Sequence, residues 1–356
     1  MKFNLTYGPD IASAPDGFKA TVEAVAAFFE STFTDPVTIN VKVERGLSGG
    51  LLGHSDYTLT GPYTFAQITT ALANEPQSGS DAIAVANLPA VDPIAGNHAY
   101  YMTSAQAKAL GLMGSSDALD GTVQFANNPP FDYDRSDGIS PGSYDFYGSV
   151  AHEFSEVMGR ELNAIGNEVQ TGEPHGYYPF DFFKYSAAEV RSFVGTTQGY
   201  FSPDRGVTNL DNFNADSDDD FGDWASSAGN DAFRAFSDSG VVNAVTATDI
   251  VVMDVIGWDA APGSPGVVAL FGHGGGVAIR GGDGAPQAPP INPHQAIADA
   301  TSAPAGPRLF VPRRQPSRRH RRRPCDNGRL PRPRRLASRL TPAPTSRLAR
   351  ADVTAR

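Results

Sequence analysis

From about Ala260 onward the 356-residue chain changes character, with Gly, Pro and Ala dominant, aromatic residues almost gone and Arg accumulating toward the C-terminus. A segment so poor in large apolar side chains cannot bury enough surface to offset the entropy of ordering it. The break confines the folded protein to about residues 1–260. A Gly/Pro/Ala-rich linker follows over 261–300, and an Arg/Pro-rich tail over 301–356 reads as disordered and solvated.

Charge divides nearby. Of the 28 Lys and Arg residues, 16 lie in 301–356, all of them Arg, against 2 of the 39 Asp and Glu, which makes the tail +14 and leaves residues 1–300 with 12 basic and 37 acidic side chains, a net of −25. A body this acidic is repelled by phosphate backbones and by anionic lipid, which argues against nucleic acid as its partner. The Arg cluster at 313–335 is a candidate arm for nucleic acid or an acidic surface, or a segment that folds back on the body. Arg, Pro and Ala without Lys is also what GC-rich DNA yields when read out of frame. The single cysteine, Cys325, lies in the tail, so the body forms neither a disulfide nor a cysteine metal site. No apolar run approaches the roughly 18 residues of a membrane span. The start, MKFNLTYGPD, reads as a strand without the apolar region of a signal peptide.

The body opens with a simple order. Lys2–Tyr7 alternates apolar and polar residues as a half-buried strand does, and Phe18, Val22, Val25, Ala26 and Phe29 recur at helical spacing. Asp35-Pro36 stops that run, and Val37, Ile39, Val41 and Val43 resume a period of two. This β-α-β unit predicts an α/β (α+β) fold with at least one parallel strand pair in a mixed sheet. Residues 45–62, Gly-rich and polar, read as an excursion rimming a cleft. The spacing predicts short helices over 65–73 and 104–112 and a strand over 121–127; the Asn-Asn-Pro-Pro that closes the strand suggests an edge position. The strongest helical pattern covers about 144–162, with Tyr147, Val150, Ala151, Phe154, Val157, Met158 and Leu162 in one apolar stripe. Residues 164–180 read as loop, 180–185 and 199–202 as short strands, and 246–258 as a last helix capped by Thr246 or Thr248.

The long helix carries Val150-Ala-His-Glu-Phe-Ser-Glu-Val-Met-Gly-Arg160. His152 and Glu156 are four apart and so share a helix face, close enough to bind one metal ion, with Glu153 beside them in reach of a water on that ion. This is the logic of His-Glu-x-x-His with Glu in place of the second His. Imidazole and carboxylate are both ordinary zinc ligands, and a catalytic site needs three protein ligands and one open position. Glu153 then takes the role of general base. The competing reading, an i,i+4 pair on a solvated helix face, predicts that these side chains are exposed.

The segment resembles the active-site helix of zinc metallopeptidases of the metzincin-like clan, and more closely a group of bacterial secreted metalloproteases with His-Glu-x-x-Glu followed by Val-Met-Gly-Arg. Further segments resemble that group: residues 14–43, Ala105-Gln-Ala-Lys-Ala-Leu-Gly-Leu, Asp181-Phe-Phe-Lys-Tyr-Ser, Gly222-Asp-Trp-Ala and Thr248-Asp-Ile-Val-Val-Met-Asp-Val-Ile-Gly-Trp-Asp259. Together they span about residues 3–259. The resemblance implies a mixed sheet with an active-site helix, zinc-dependent hydrolysis of peptide or protein substrates, and a secreted or periplasmic location. Basic peptides are the substrates that the −25 body would attract.

Two departures bear on the site. The metzincin pattern puts a third ligand three residues past the glycine, where this chain has Leu162, and the second ligand is Glu. One imidazole with two carboxylates is harder and more anionic, weaker for zinc and more permissive of other divalent ions. The third ligand must then come from the loop or strand after the helix. Asp181, at the head of its apolar segment, is preferred over His175, which lies between Pro174 and Gly176. Tyr178 and Tyr185 are candidate oxyanion donors and, more simply, packing residues.

Other motifs weigh less. Asp216, Asp218 and Asp220 match alternate calcium-loop positions, yet Phe221 and Ser227 replace the required Gly and Glu. The run therefore reads as a solvated acidic loop, with a nonstandard Ca2+ site as the alternative. Ser140 in Gly138-Ile-Ser-Pro-Gly142 is rejected as a nucleophile, because Pro141 has no N–H for an oxyanion hole. Met253 reads as helix core. The sequence contains no indication of oligomeric state.

Overall fold

The computed structural model describes residues 1–264, except Gly49, 76–77, Pro129, 163–174 and 217–219. The linker and tail, with Cys325, lie outside the described residues. In chain order the elements are β1 (Lys2–Tyr7), α1 (Phe18–Thr32), β2 (Thr38–Leu47), β3 (Gly53–Tyr57), β4 (Leu59–Tyr63), α2 (Phe65–Asn74), α3 (Gly79–Ala86), β5 (His98–Thr103), α4 (Ser104–Ala109) and β6 (Gly121–Ala126). Then come β7 (Phe131–Asp132), β8 (Tyr144–Asp145), α5 (Phe146–Val157), β9 (His175–Tyr177), β10 (Lys184–Ala187), β11 (Val190–Arg191), β12 (Tyr200–Phe201), β13 (Asp211–Asn212) and α6 (Ala247–Val255).

The fold is mixed α/β, as the β-α-β pattern predicts. The principal sheet has the order β1-β2-β6-β3. β1 runs parallel to β2, with Phe3 opposite Ile39, and β2 parallel to β6, with Val43 opposite Val123. β3 closes the sheet antiparallel to β6, with Ser55 opposite Val123. Two expectations are corrected here. β6 is an interior strand, because its prolines follow the ladder instead of interrupting it. The segment 45–62, read as an excursion, contains β3 and β4, and β3 is the terminal strand beside the long helix.

Helix α5 lies against this sheet through aromatic packing. Phe154 stacks on Phe3 of β1 at 4.8 Å between ring centroids, and Phe146 meets Phe125 of β6 at 5.0 Å and Phe18 of α1 at 4.7 Å. Val150 and Val157 fill the same buried stripe. Both ends of α5 are chemically specified. Asp145 caps its start, accepting from the Tyr147 N–H at 3.1 Å. Its end is a Schellman turn, with Gly159 N–H donating to Glu156 O at 2.9 Å and Arg160 N–H to Ser155 O at 3.0 Å. Gly159 has φ +105°, and a Cβ there would lie 2.6 Å from Gln106 Oε1, so both backbone and space require glycine. The helix therefore stops at Val157, short of the expected residue 162, and Arg160 and Glu161 turn back toward the helix face that bears His152.

A second layer covers that face. The antiparallel sheet β11-β10-β12-β13 and the bridges joining Phe213, Trp224 and Arg234 hold residues 211–216 and 220–235 over it. Trp224 is fully buried and donates its indole N–H to Asp249 of α6 at 2.8 Å. α6 is capped by Thr246 and carries Met253 as core. Among the described residues no helix is long and apolar enough to cross a membrane.

Candidate metal centre

The covering layer removes one of the two readings of the helix motif, the solvated face. His152, Glu153 and Glu156 are each at most 1% exposed, so no solvated face exists here. His152 Nδ1 lies 2.8 Å from the carbonyl oxygen of Ala232. A carbonyl only accepts, which puts the proton on Nδ1 and turns Nε2 toward Glu156 Oε1 at 3.1 Å and Asp223 Oδ1 at 3.2 Å.

This arrangement suits a cation. Ligand atoms from His152, Glu156 and Asp223 all lie within 4.8 Å of one another. The two separations from His152 Nε2, 3.1 and 3.2 Å, are near the roughly 3.3–3.6 Å between ligand atoms of a tetrahedral ion with bonds of about 2.0–2.2 Å. Donation of the second ring N–H to a backbone carbonyl is the usual way a ligating imidazole is oriented. Ser55 of β3 donates to Glu156 Oε2 at 2.6 Å, steadying that carboxylate from the sheet side. Asp223 Oδ2 is buried without a hydrogen-bond partner among the described residues, an arrangement that is costly unless something further binds there, and the buried Glu153 carboxyl is set against that of Glu156.

Arg160 completes the cluster. Its guanidinium donates to Asp223 Oδ1 at 2.7 Å, to Gly222 O at 3.1 Å, to Ser155 Oγ at 2.8 Å and more weakly to Glu156 Oε1 at 3.5 Å. It offsets part of the negative charge and orients both carboxylates, using oxygens that also face His152. Burial alone would depress the His152 pKa, but Asp223 and Glu156 outweigh it and hold the imidazole well above its ordinary value. Burial would raise Asp223, yet His152 and Arg160 keep it below the usual carboxylate range. Glu153 is pushed well above its ordinary value by burial and by the charge of Glu156.

Glu153 is positioned by the edge strand. A Cβ on Gly53 of β3 would sit 2.1 Å from Glu153 Oε1 and 2.8 Å from its Cδ, so the carboxylate rests directly on bare backbone. In Gly53→Ala the side chain of Glu153 must move by about an ångström. If the cluster binds a metal and Glu153 serves a reaction there, metal content should stay at the wild-type level while turnover falls on the order of tenfold to a hundredfold. Unchanged turnover in that variant would show that the observed position of Glu153 is not the working one.

The other expected residues lie elsewhere. Asp181 sits in the 3-10 turn Pro179–Phe183, where its Oδ2 accepts the Tyr178 N–H at 2.8 Å, and it belongs to neither group of converging ligands among the described residues. Asp223 stands in the third position instead. It belongs to Gly222-Asp-Trp-Ala, one of the segments that resemble the protease group, and the available signal was an acidic residue locked beside a tryptophan. His175 lies in β9, not in a loop, with its backbone paired to His98; its side chain is outside the described residues. Tyr185 is core beneath Arg191, consistent with packing. The Tyr178 hydroxyl meets that of Tyr57 at 3.4 Å. Ser140 is exposed in a turn, its N–H on Asp132. Of the acidic loop, Asp218 is outside the described residues, while Asp220 belongs to a second group with Glu156 and Glu161.

No protein-family model matches this chain, and comparison with curated proteins and with solved structures returns no match.

Proposed function

We propose that this chain is a metal-dependent peptidase, with His152, Glu156 and Asp223 as the ligands of a zinc ion or a related divalent cation and Glu153 as general base. The observation that carries the reading is the buried convergence of one imidazole and two carboxylates, its tautomer set by Ala232 O, beside the buried carboxyl of Glu153. When bound, the metal would supply Lewis-acid polarisation of the scissile carbonyl and acidify the attacking water. Glu153 would take the proton from that water and deliver it to the leaving amine. Ser55 and Arg160 would hold the ligating carboxylates, and the layer around Trp224 would keep bulk water off the site. β3, the terminal strand of the sheet and the support of Glu153, is the natural edge for an extended peptide to join. The acidic body favours basic substrates, and the resemblance to secreted bacterial proteases makes an extracytoplasmic location part of the same proposal.

Arg160 favours one other reading. Its contacts to Asp223 and Glu156 let the cluster balance itself as an internal ion network, which suits an inactive relative that only holds peptides. Metal analysis of the purified protein, with casein hydrolysis assayed with and without chelator, separates the two. The peptidase should contain about one zinc per chain and lose hydrolysis on chelation. Absence of bound metal from the wild-type protein would leave only the inactive reading.

A further inference from the structure

Beside the first ligand group lies a second, made of oxygen alone. Carboxylate oxygens of Glu156, Glu161 and Asp220 also lie within 4.8 Å of one another, and Glu156 is common to both groups. This is not a surface acidic patch. Glu161 is 2% exposed, and its Oε1 is buried with no hydrogen-bond partner. Local structure holds the two new residues in place. The Schellman turn at Gly159 brings Glu161 back beside the helix, its N–H on Gly159 O at 2.9 Å. Asp220 Oδ1 accepts the Gly222 N–H at 2.6 Å, and its carbonyl accepts from Asn214 at 2.9 Å.

The charge count is unfavourable without a further cation. Among the described residues, the buried Glu153, Glu156, Glu161 and Asp223 and the half-buried Asp220 share this region with only His152 and Arg160, and the ion pairs of both cations go to Glu156 and Asp223. Among the described residues neither Glu161 nor Asp220 has an ion-pair partner. Three converging carboxylates with no nitrogen or sulfur select a hard cation that accepts many oxygens, which describes calcium better than zinc.

We infer that Glu156, Glu161 and Asp220 form a second cation site, selective for calcium, that shares the carboxylate of Glu156 with the His152 site. The site differs from the calcium loop considered from sequence, since it uses Asp220 but neither Asp216 nor Asp218. It ties the exit of α5 to the turn that holds Asp220. The second site shares one residue with the peptidase reading but does not depend on catalysis.

Terbium luminescence tests it on the full-length protein. Tb3+ occupies calcium sites, and Tyr57, Tyr178 and Trp224 supply the sensitising rings; both tyrosine hydroxyls lie in the field of Glu161 and Asp220. We expect saturable sensitised emission that calcium displaces and that an equal concentration of zinc does not. Glu161→Gln and Asp220→Asn should each weaken Tb3+ and Ca2+ binding roughly tenfold or more, with zinc content unchanged, while Asp216→Asn has no effect. The inference is overturned if wild type gives no calcium-displaceable emission, or if Asp216→Asn removes the emission and Glu161→Gln does not. Wild-type zinc content, measured on the same sample, separates failure of this site from failure of the peptidase reading.

Discussion

Replacing Glu153 by Gln should lower casein hydrolysis by about 10²–10⁴-fold and leave the metal content of the protein unchanged. The amide keeps the volume of the carboxylate, so the contact with Gly53 survives, but it cannot accept and return a proton. Folding should not suffer. Glu153 is fully buried and stands against the charge of Glu156, so a permanently neutral side chain that can still hydrogen-bond to Glu156 removes a desolvation cost and a repulsion. The melting temperature of Glu153→Gln is therefore expected at or above that of wild type. Turnover by the variant at the wild-type rate, with zinc in place, would remove Glu153 from the mechanism and with it the proposed chemistry.

The second large effect is expected at Asp223. Asp223→Ala should lose the metal and the activity together and should also be markedly less stable, by about 3–5 kcal/mol, because the partners of a buried charge are left uncompensated. Those partners are Arg160 at 2.7 Å and His152 at 3.2 Å. Asp181→Asn provides the contrast. Its side chain can still accept the Tyr178 N–H, so the turn should hold and the metal should stay. Metal content by mass spectrometry and melting temperature by calorimetry check both variants. The reverse pattern, with metal lost in Asp181→Asn and kept in Asp223→Ala, would return the third ligand position to Asp181.

The two aspartates show why the site is only partly legible in sequence. Both head segments with large aromatic residues, Asp181 before Phe182 and Phe183 and Asp223 before Trp224. An apolar flank marks an aspartate as buried, but burial does not say what it faces. Asp181 turns its oxygen to its own local turn. Asp223 is carried to the helix by the bridges of Trp224 to Phe213 and Arg234, contacts that no local pattern encodes. The strand positions escape sequence for a related reason. The prolines after residue 127 carry no information about the place of a strand that they only follow, and the Gly-rich segment 45–62 conceals β3, whose bare backbone at Gly53 is what seats Glu153.

What the chain determined by itself is local. The period of two in β1 and β2, the helical stripe of α5, the Thr246 cap, and the shared helix face of His152 and Glu156 all depend on distances of a few residues, where backbone geometry leaves little choice. Tertiary structure decided the rest. It took a separation of 63 residues to bring Asp223 to Arg160, 80 to bring Ala232 O to His152, and 101 to bring Ser55 to Glu156. Those contacts turn a two-residue helix motif into an enclosed three-ligand group. They exist only once the sheet, the helix and the covering layer have packed, because that packing excludes the water that would otherwise satisfy each charge alone.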